Sequence, residues 1–366
     1  MYRTLARRYY RRLSFLRSWL TRVGEYQNLY KKRKRIASVR LHETQKRSID
    51  AFYKTHYGKR IPYGWHRLYQ SYTGVFREDY FPEILFSTRL EMMFNPMAQA
   101  LVLGDKNLLP LLVEGLSDVR CPKTYLSCVG GIYLSGEGRL LSREEAVLSL
   151  YDRGWVVVKK SLGSGSGRDV RLCEVVGSVD KKSGLTIREI LREMGDQFVV
   201  QEKVLPHPVL EALYPHALNT FRVCTYLVED TVQAAPLVLK LGRGGMDVDN
   251  MHAGGLGIGV SEEGFLYEAA FSEQGERFLA HPDTGVLFSG VRVPQVPDVI
   301  QAAKALHRRI PQLQMLSLDM TIDHLGQVVV IELNTLGQSV WLSQMTTGLP
   351  FFGVHTPYML RRMRKT

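Results

Sequence analysis

Residues 155–172 read WVVVKKSLGSGSGRDVRL: an apolar run, a lysine pair, then three glycines interleaved with two serines. Gly163, Ser164, Gly165, Ser166 and Gly167 can turn several backbone N–H groups toward one anion, because glycine tolerates the required φ values and carries no side chain. A phosphate group suits such a loop. The usual phosphate loop places Lys and Ser/Thr after its last glycine, at the start of a helix. Here the lysines come first, and Val170, Leu172 and Val175 alternate like a strand. The stretch is therefore expected to fold as strand, flexible loop, strand, with a plain surface turn as the competing reading.

The surrounding chain is that of a globular protein. It has 366 residues, 45% of them hydrophobic, enough for a sizeable core divided into two or three domains. The net charge of +12 is uneven: residues 1–60 hold 18 of the 48 Lys/Arg but 3 of the 36 Asp/Glu, leaving 30 against 33 for the remainder. Such a basic segment suits an anionic surface or polymer, or a helix with a solvated face. Cys121, Cys128, Cys173 and Cys224 show no metal-like spacing and read as reduced thiols of a cytoplasmic protein. No apolar stretch reaches the ~20 residues of a membrane span, so any membrane contact is expected to be peripheral.

Leu5, Tyr9, Leu13, Leu16, Leu20 and Val23 recur at helical spacing, with arginines largely off that stripe. Residues 1–62 are thus expected to form a basic, mainly helical region. Residues 63–135 read as a mixed α/β part, with Leu101-Val102-Leu103 as a short strand. A segment at 136–206 follows, opened by a capping box of Ser142 and Glu145. It contains the glycine loop, a helix in TIREILREMG and a strand in FVVQEKV. From 207 to 366 the pattern is antiparallel: hairpins at FRVCTYLV/VQAAPLVLKL, LGIGV/FLYEAA and LSLDMTI/QVVVIELN, with a helix near 296–309.

The last hairpin carries polar residues among Leu, Val and Ile. Asp319 lies in one strand, and Glu332 and Asn334 lie two apart in the next, so their side chains share a face. Unpaired, they would be costly to bury. Two carboxylates and an amide oxygen suit Mg²⁺, which also takes phosphate and water oxygens.

Taken in order, VVVKKSLGSGSGRDV, VVQEKVLPHPVLEALYPHALNTFRV, LKLGRGGMDVDNMHAGGLGIGV, LSLDM and VVIELNT resemble the sugar-transfer-associated group of the ATP-grasp superfamily, relatives of glutamate-ligase-like enzymes. The resemblance spans roughly residues 100 to 350 and leaves out the basic first sixty. It implies an α+β fold in which two subdomains grip ATP.

Carried over to this chain, the resemblance gives Lys159 the α and β phosphates, with Lys160 on the opposite face as the alternative. The family often has proline at that position. Ser164, Gly165, Ser166 and Gly167 would form a lid. Glu202 would take the adenine amino proton, backbone at Lys203 and Val204 would read the ring edge, and His207 would face the ribose or else solvent. Arg222 and Lys240 would neutralise the transferred phosphate. Arg243, Asn250, His252, Gly254 and Gly255 would border the acceptor side. Asp319, Glu332 and Asn334 would hold magnesium.

The activity implied is ATP- and Mg²⁺-dependent ligation of a carboxylate to an amine through an acyl phosphate, with an amino acid and a glycan precursor or a peptide as candidate substrates. The alternatives are a kinase of the same fold and a nucleotide-gated binding module.

Overall fold

The apolar runs and turn residues set out above become two separate sheets. The structure is a computed structural model that describes residues 18–163 and 169–364. In chain order the strands are β1 (Val119–Arg120), β2 (Thr124–Val129), β3 (Ile132–Ser135), β4 (Leu140–Leu141), β5 (Gly154–Lys160), β6 (Val170–Val176), β7 (Val179–Asp180) and β8 (Gln197–Glu202). They continue as β9 (Thr220–Val228), β10 (Thr231–Ala234), β11 (Leu237–Leu241), β12 (Leu256–Val260), β13 (Leu266–Ser272), β14 (Arg277–Phe278), β15 (Met315–Ile322) and β16 (Val328–Asn334).

The smaller sheet runs β4-β3-β2-β8-β5-β6-β7 and is antiparallel throughout. One face packs on helices Arg143–Leu148 and Ile187–Met194. Both helices start at a capping box, Ser142 with Glu145 and Thr186 with Glu189, each satisfying two otherwise orphaned N–H groups. Ile187, Ile190, Leu191 and Met194 fall on one stripe of the second helix and are buried, each contributing roughly 1.5–3 kcal/mol over exposure. This sheet's first strand in chain order starts at Thr124.

The larger sheet runs β1-β16-β15-β9-β11-β12-β13-β14, with β10 also against β9. VQAAPLVLKL is not one strand: Pro236 has no N–H to give a ladder, so β10 and β11 pair separately with different ends of β9. One face of the sheet is apolar and packs on helix Val296–Arg308 through Val299, Ala303 and Leu306. The other face carries the polar row described below.

The region before the sheets is helical through Val113 among the described residues. Leu101, Val102 and Leu103 end a helix, Met97–Leu103, and do not form the expected strand. Pro96 precedes its first turn, Ala100 supplies the buried face, and the Gly104 N–H closes it on the Ala100 carbonyl at 3.0 Å. Three adjacent apolar residues cannot reveal their period. Of the N-terminal stripe, Leu5, Tyr9, Leu13 and Leu16 lie outside the described residues. Leu20 and Val23 sit in a helical stretch at 18–31 and are exposed, 56% and 37%. That stretch docks further along, where Leu29 and Ile36 pack on the cluster of Trp65, Leu68 and Tyr72.

Candidate functional site

Strand register sets the site. Lys240 of β11 lies opposite Thr220 of β9, Arg222 of β9 opposite Asp319 of β15, and Asp319 opposite Glu332 of β16. Residues two apart on a strand share a face, so Thr220, Arg222, Lys240, Asp319, Glu332 and Asn334 all look the same way. Arg222 grips Asp319 in a two-point ion pair at 2.8 and 3.2 Å. Lys240 approaches the same carboxylate at 3.1 Å and Asp249 at 3.6 Å. The Asn334 amide reaches Asp319 at 3.5 Å. Burial alone would raise the Asp319 pKa; Arg222 and Lys240 overcome it and hold the carboxyl below its ordinary value. Asp249, tied to the Thr220 N–H and hydroxyl, goes the other way, raised by burial beyond what Lys240 offsets.

The smaller sheet supplies the facing wall. Lys159 is buried and its ammonium donates to the Ile331 carbonyl at 3.2 Å. That carbonyl is available because β15 and β16 slip register between Asp319 and Met320, leaving Ile331 as the extra residue of a bulge. Burial lowers the Lys159 pKa to about 8, Glu332 opposing the shift and Lys106 adding to it. Lys160 points to the other face, where it pairs with Asp169 at 3.3 Å. Alternation along β5 therefore puts Lys159, and not Lys160, into the cleft between the sheets.

Two cationic partners carried no sequence signal. Lys106, in a 3₁₀ turn, is buried and pairs with Glu332 at 3.0 Å, while its backbone N–H bonds Ser161 just beyond the lysine pair. Arg120 joins the Glu202 carboxylate to Asp323, the latter at 2.9 Å. Both are lone cations in loops or strand ends whose partners are more than 80 residues away.

Glu202 lines the cleft with its carboxylate engaged by Arg120. Val204 is buried, and with Val157, Leu172 and Leu218 it gives this end an apolar lining. Lys203 leaves the strand and lays its ammonium over Trp155, 4.4 Å from the ring centroid. His207 does not line the cleft; it caps helix Pro208–Leu213, accepting from the Val209 N–H at 3.2 Å. Ser164, Gly165, Ser166 and Gly167 lie outside the described residues.

The glycine-dense segment 241–255 divides its residues. Asn250 lines the cleft beside Asp247 and Asp249, and Asp247 is ion-paired to Lys182 of the smaller sheet's side. His252 faces away, into a second cavity, with its Nδ1 2.9 Å from Glu273. Arg243 pairs with Glu276 at 3.2 Å and packs on Phe278, outside the cleft lining. Gly254 takes a left-handed φ of 105°, and Gly255 runs so close to the Asp249 and Leu241 carbonyls that a Cβ would lie 2.7 and 2.8 Å from them.

The arrangement offers four buried or half-buried cations (Lys106, Lys159, Arg222, Lys240) around three carboxylates (Asp249, Asp319, Glu332) and the Asn334 amide. Among the described residues, no group of three His, Cys, Asp or Glu has metal-holding geometry. Asp319, Glu332 and Asn334 instead form an incomplete set of hard oxygen donors, which fits Mg²⁺ when phosphate oxygens and water complete the shell.

A family model described as sugar-transfer-associated ATP-grasp matches residues 85–356. No curated protein matches the chain. Solved structures with a similar course include the VanG D-Ala:D-Ser ligase from Enterococcus faecalis, 15% identical over 71% of this chain and 60% of that one, with a TM-score of 0.40. Others are a D-alanine–D-alanine ligase from Bacillus anthracis, 14% identical over 74% and 70% (TM-score 0.40), and a biotin carboxylase from Campylobacter jejuni, 15% identical over 75% and 49% (TM-score 0.41). The chain spans between 45% and 60% of the length of four of the solved structures it matches.

Proposed function

Because the chain belongs to the sugar-transfer-associated ATP-grasp family, we propose that it is an ATP- and Mg²⁺-dependent ligase that joins a carboxylate to an amine. The observation that carries this reading is the continuous polar row Lys240, Arg222, Asp319, Glu332 and Asn334 on one sheet, faced across a cleft by Lys159 of the other.

The chemistry needs no side-chain nucleophile. A carboxylate oxygen attacks the γ-phosphorus and ADP leaves; an amine then attacks the acyl carbon and phosphate leaves with the C–O electron pair. The protein's share is alignment and charge neutralisation. Lys159 sits where it can meet the proximal phosphates, and Arg222 offers the planar two-point grip that suits a phosphoryl or acyl phosphate group. Lys240 and Lys106 add positive charge on either side. Asp319, Glu332 and Asn334 would hold Mg²⁺, which supplies Lewis-acid neutralisation of the phosphates when bound. The apolar lining by Val157, Leu172, Val204 and Leu218 suits a base.

The test is release of ADP and inorganic phosphate from paired acids and amines, with mass spectrometry of the product. Phosphate release that requires both substrates supports ligation. Phosphate retained on one product points to a kinase, and Mg-nucleotide binding without turnover points to a binding module.

A further inference from the structure

A second cavity, of about 680 Å³, lies behind two chain segments that also wall the cleft. Asn250 lines the cleft, and His252, two residues on, lines the cavity; Asn334 lines the cleft, and Gly337, three residues on, lines the cavity. Three residues of chain reach at most about 11 Å, so the two chambers adjoin at residues 250–252 and 334–337. The volume falls within the roughly 300–1,000 Å³ usual for small-molecule sites.

The outer wall of the cavity comes from the basic N-terminal region, which presents Lys32 and Arg35 to it. Among the described residues neither side chain closes an ion pair, although the Glu273, Glu83 and Glu25 carboxyls all act on the Lys32 charge; the Arg35 guanidinium lies 4.2 Å from the Tyr72 ring centroid, with its Nε buried and without a hydrogen-bond partner. The Lys32 ammonium lies 4.5 Å from the Trp341 ring centroid. The nearby carboxylates are committed elsewhere. Glu83 accepts the Val340 N–H at 3.0 Å, Glu91 accepts the Gln338 N–H at 2.7 Å, and Glu273 takes His252. Burial moves Glu25, at the same wall, toward its neutral form. Two half-buried cations that close no ion pair, beside carboxylates already bonded elsewhere, can each donate a charge-assisted hydrogen bond to an outside anion.

We propose that this cavity seats the non-nucleotide substrate and that this substrate carries an anionic group, a carboxylate or a phosphate, held by Lys32 and Arg35. The assignment rests on the cleft being the nucleotide site. The basic N-terminal region thereby acts as a wall of the substrate chamber.

The experiment uses the full chain saturated with Mg-ADP, so that the cleft's own phosphate-binding groups are filled. The probes are inorganic phosphate, glucosamine 6-phosphate, glucuronate and, as the neutral control, glucose, followed by titration calorimetry and hydrogen exchange. At least one anionic probe is expected to bind and to slow exchange at residues 31–35 and 337–341, and glucose is expected not to. Lys32→Gln and Arg35→Gln should each weaken that binding tenfold or more while leaving Mg-ADP affinity unchanged, which also reports that they fold. A phosphorylated probe binding tighter than glucuronate assigns a phosphate; the reverse assigns a carboxylate. If Mg-ADP itself fails to bind, the reading of the cleft falls, and the cavity assignment with it. If Mg-ADP binds but no anionic probe does, or both variants hold the probes like the parent, the cavity assignment alone falls.

Discussion

Replacing Asp319 with alanine removes one carboxylate that serves two cations. Arg222 loses its two-point contact at 2.8 and 3.2 Å, and Lys240 loses the nearer of its two partners, keeping Asp249 at 3.6 Å. Lys240 is 5% exposed, so water replaces little of what is lost. Breaking a buried ion pair by deleting one partner costs about 3–5 kcal/mol. With Arg222 stranded and Lys240 left on its farther partner, about 4 kcal/mol is expected, a fall in melting temperature of roughly 8–16 °C for a cooperative unit of about 150–250 residues. A rescue is also expected. Adding Arg222→Met and Lys240→Met to Asp319→Ala removes the stranded charges; Asp249, already moved by burial toward its neutral form, loses Lys240 and keeps the Thr220 N–H and hydroxyl, and apolar replacement of a buried pair is typically neutral or stabilising by about 1–4 kcal/mol. The triple variant should recover most of the melting temperature and none of the affinity for Mg-ADP, read by thermal unfolding and calorimetry. Two results would refute the reasoning: Asp319→Ala melting within about 2 °C of the parent, which would mean well-solvated charges, or Mg-ADP binding by the triple variant at parental strength.

With the Lys159 pKa near 8, Mg-ADP affinity should decline as pH rises from 7 to 9, and Lys159→Met should flatten that profile. Stability should move the opposite way, because the unfolded lysine keeps its proton up to about 10.5, so between 8 and 10.5 the unfolded state binds more protons and this group's contribution favours folding as pH rises. Lys106→Ala removes a like charge that lowers the Lys159 pKa, so the midpoint of the affinity profile should shift upward. Gly255→Ala forces a Cβ against two backbone carbonyls at 2.7 and 2.8 Å; a loss of about 1–3 kcal/mol is expected, measured by denaturant titration.

The sequence disclosed what short-range patterns control. Period-two alternation separates Lys159 from Lys160, and the Ser142/Glu145 capping box marks the start of its helix; the second box, Thr186 with Glu189, shows only in the structure. Spacing of two on β16 places Glu332 and Asn334 on one face. What stayed hidden depends on distant partners. Lys106 is one lysine in GDKNL until the fold carries it to Glu332, and Arg120 has no motif around it. His207 and Arg243 sit within the expected segments, but local capping and a surface glutamate claim them, while the turn at 250–252 sends His252 to the far side of the wall. Leu101–Leu103 failed for the opposite reason: the triplet is too short to display a period, and Pro96 and Gly104, flanking it, decide the outcome.

The bulge at Ile331 gives the link between the two sheets an unusual kind of robustness. Lys159 is received there by a main-chain oxygen, which every amino acid possesses. Exchanging the Ile331 side chain for another of similar bulk leaves that acceptor in place, whereas deleting the residue would restore even pairing and withdraw it. Variation at this position is therefore constrained in number of residues before it is constrained in kind.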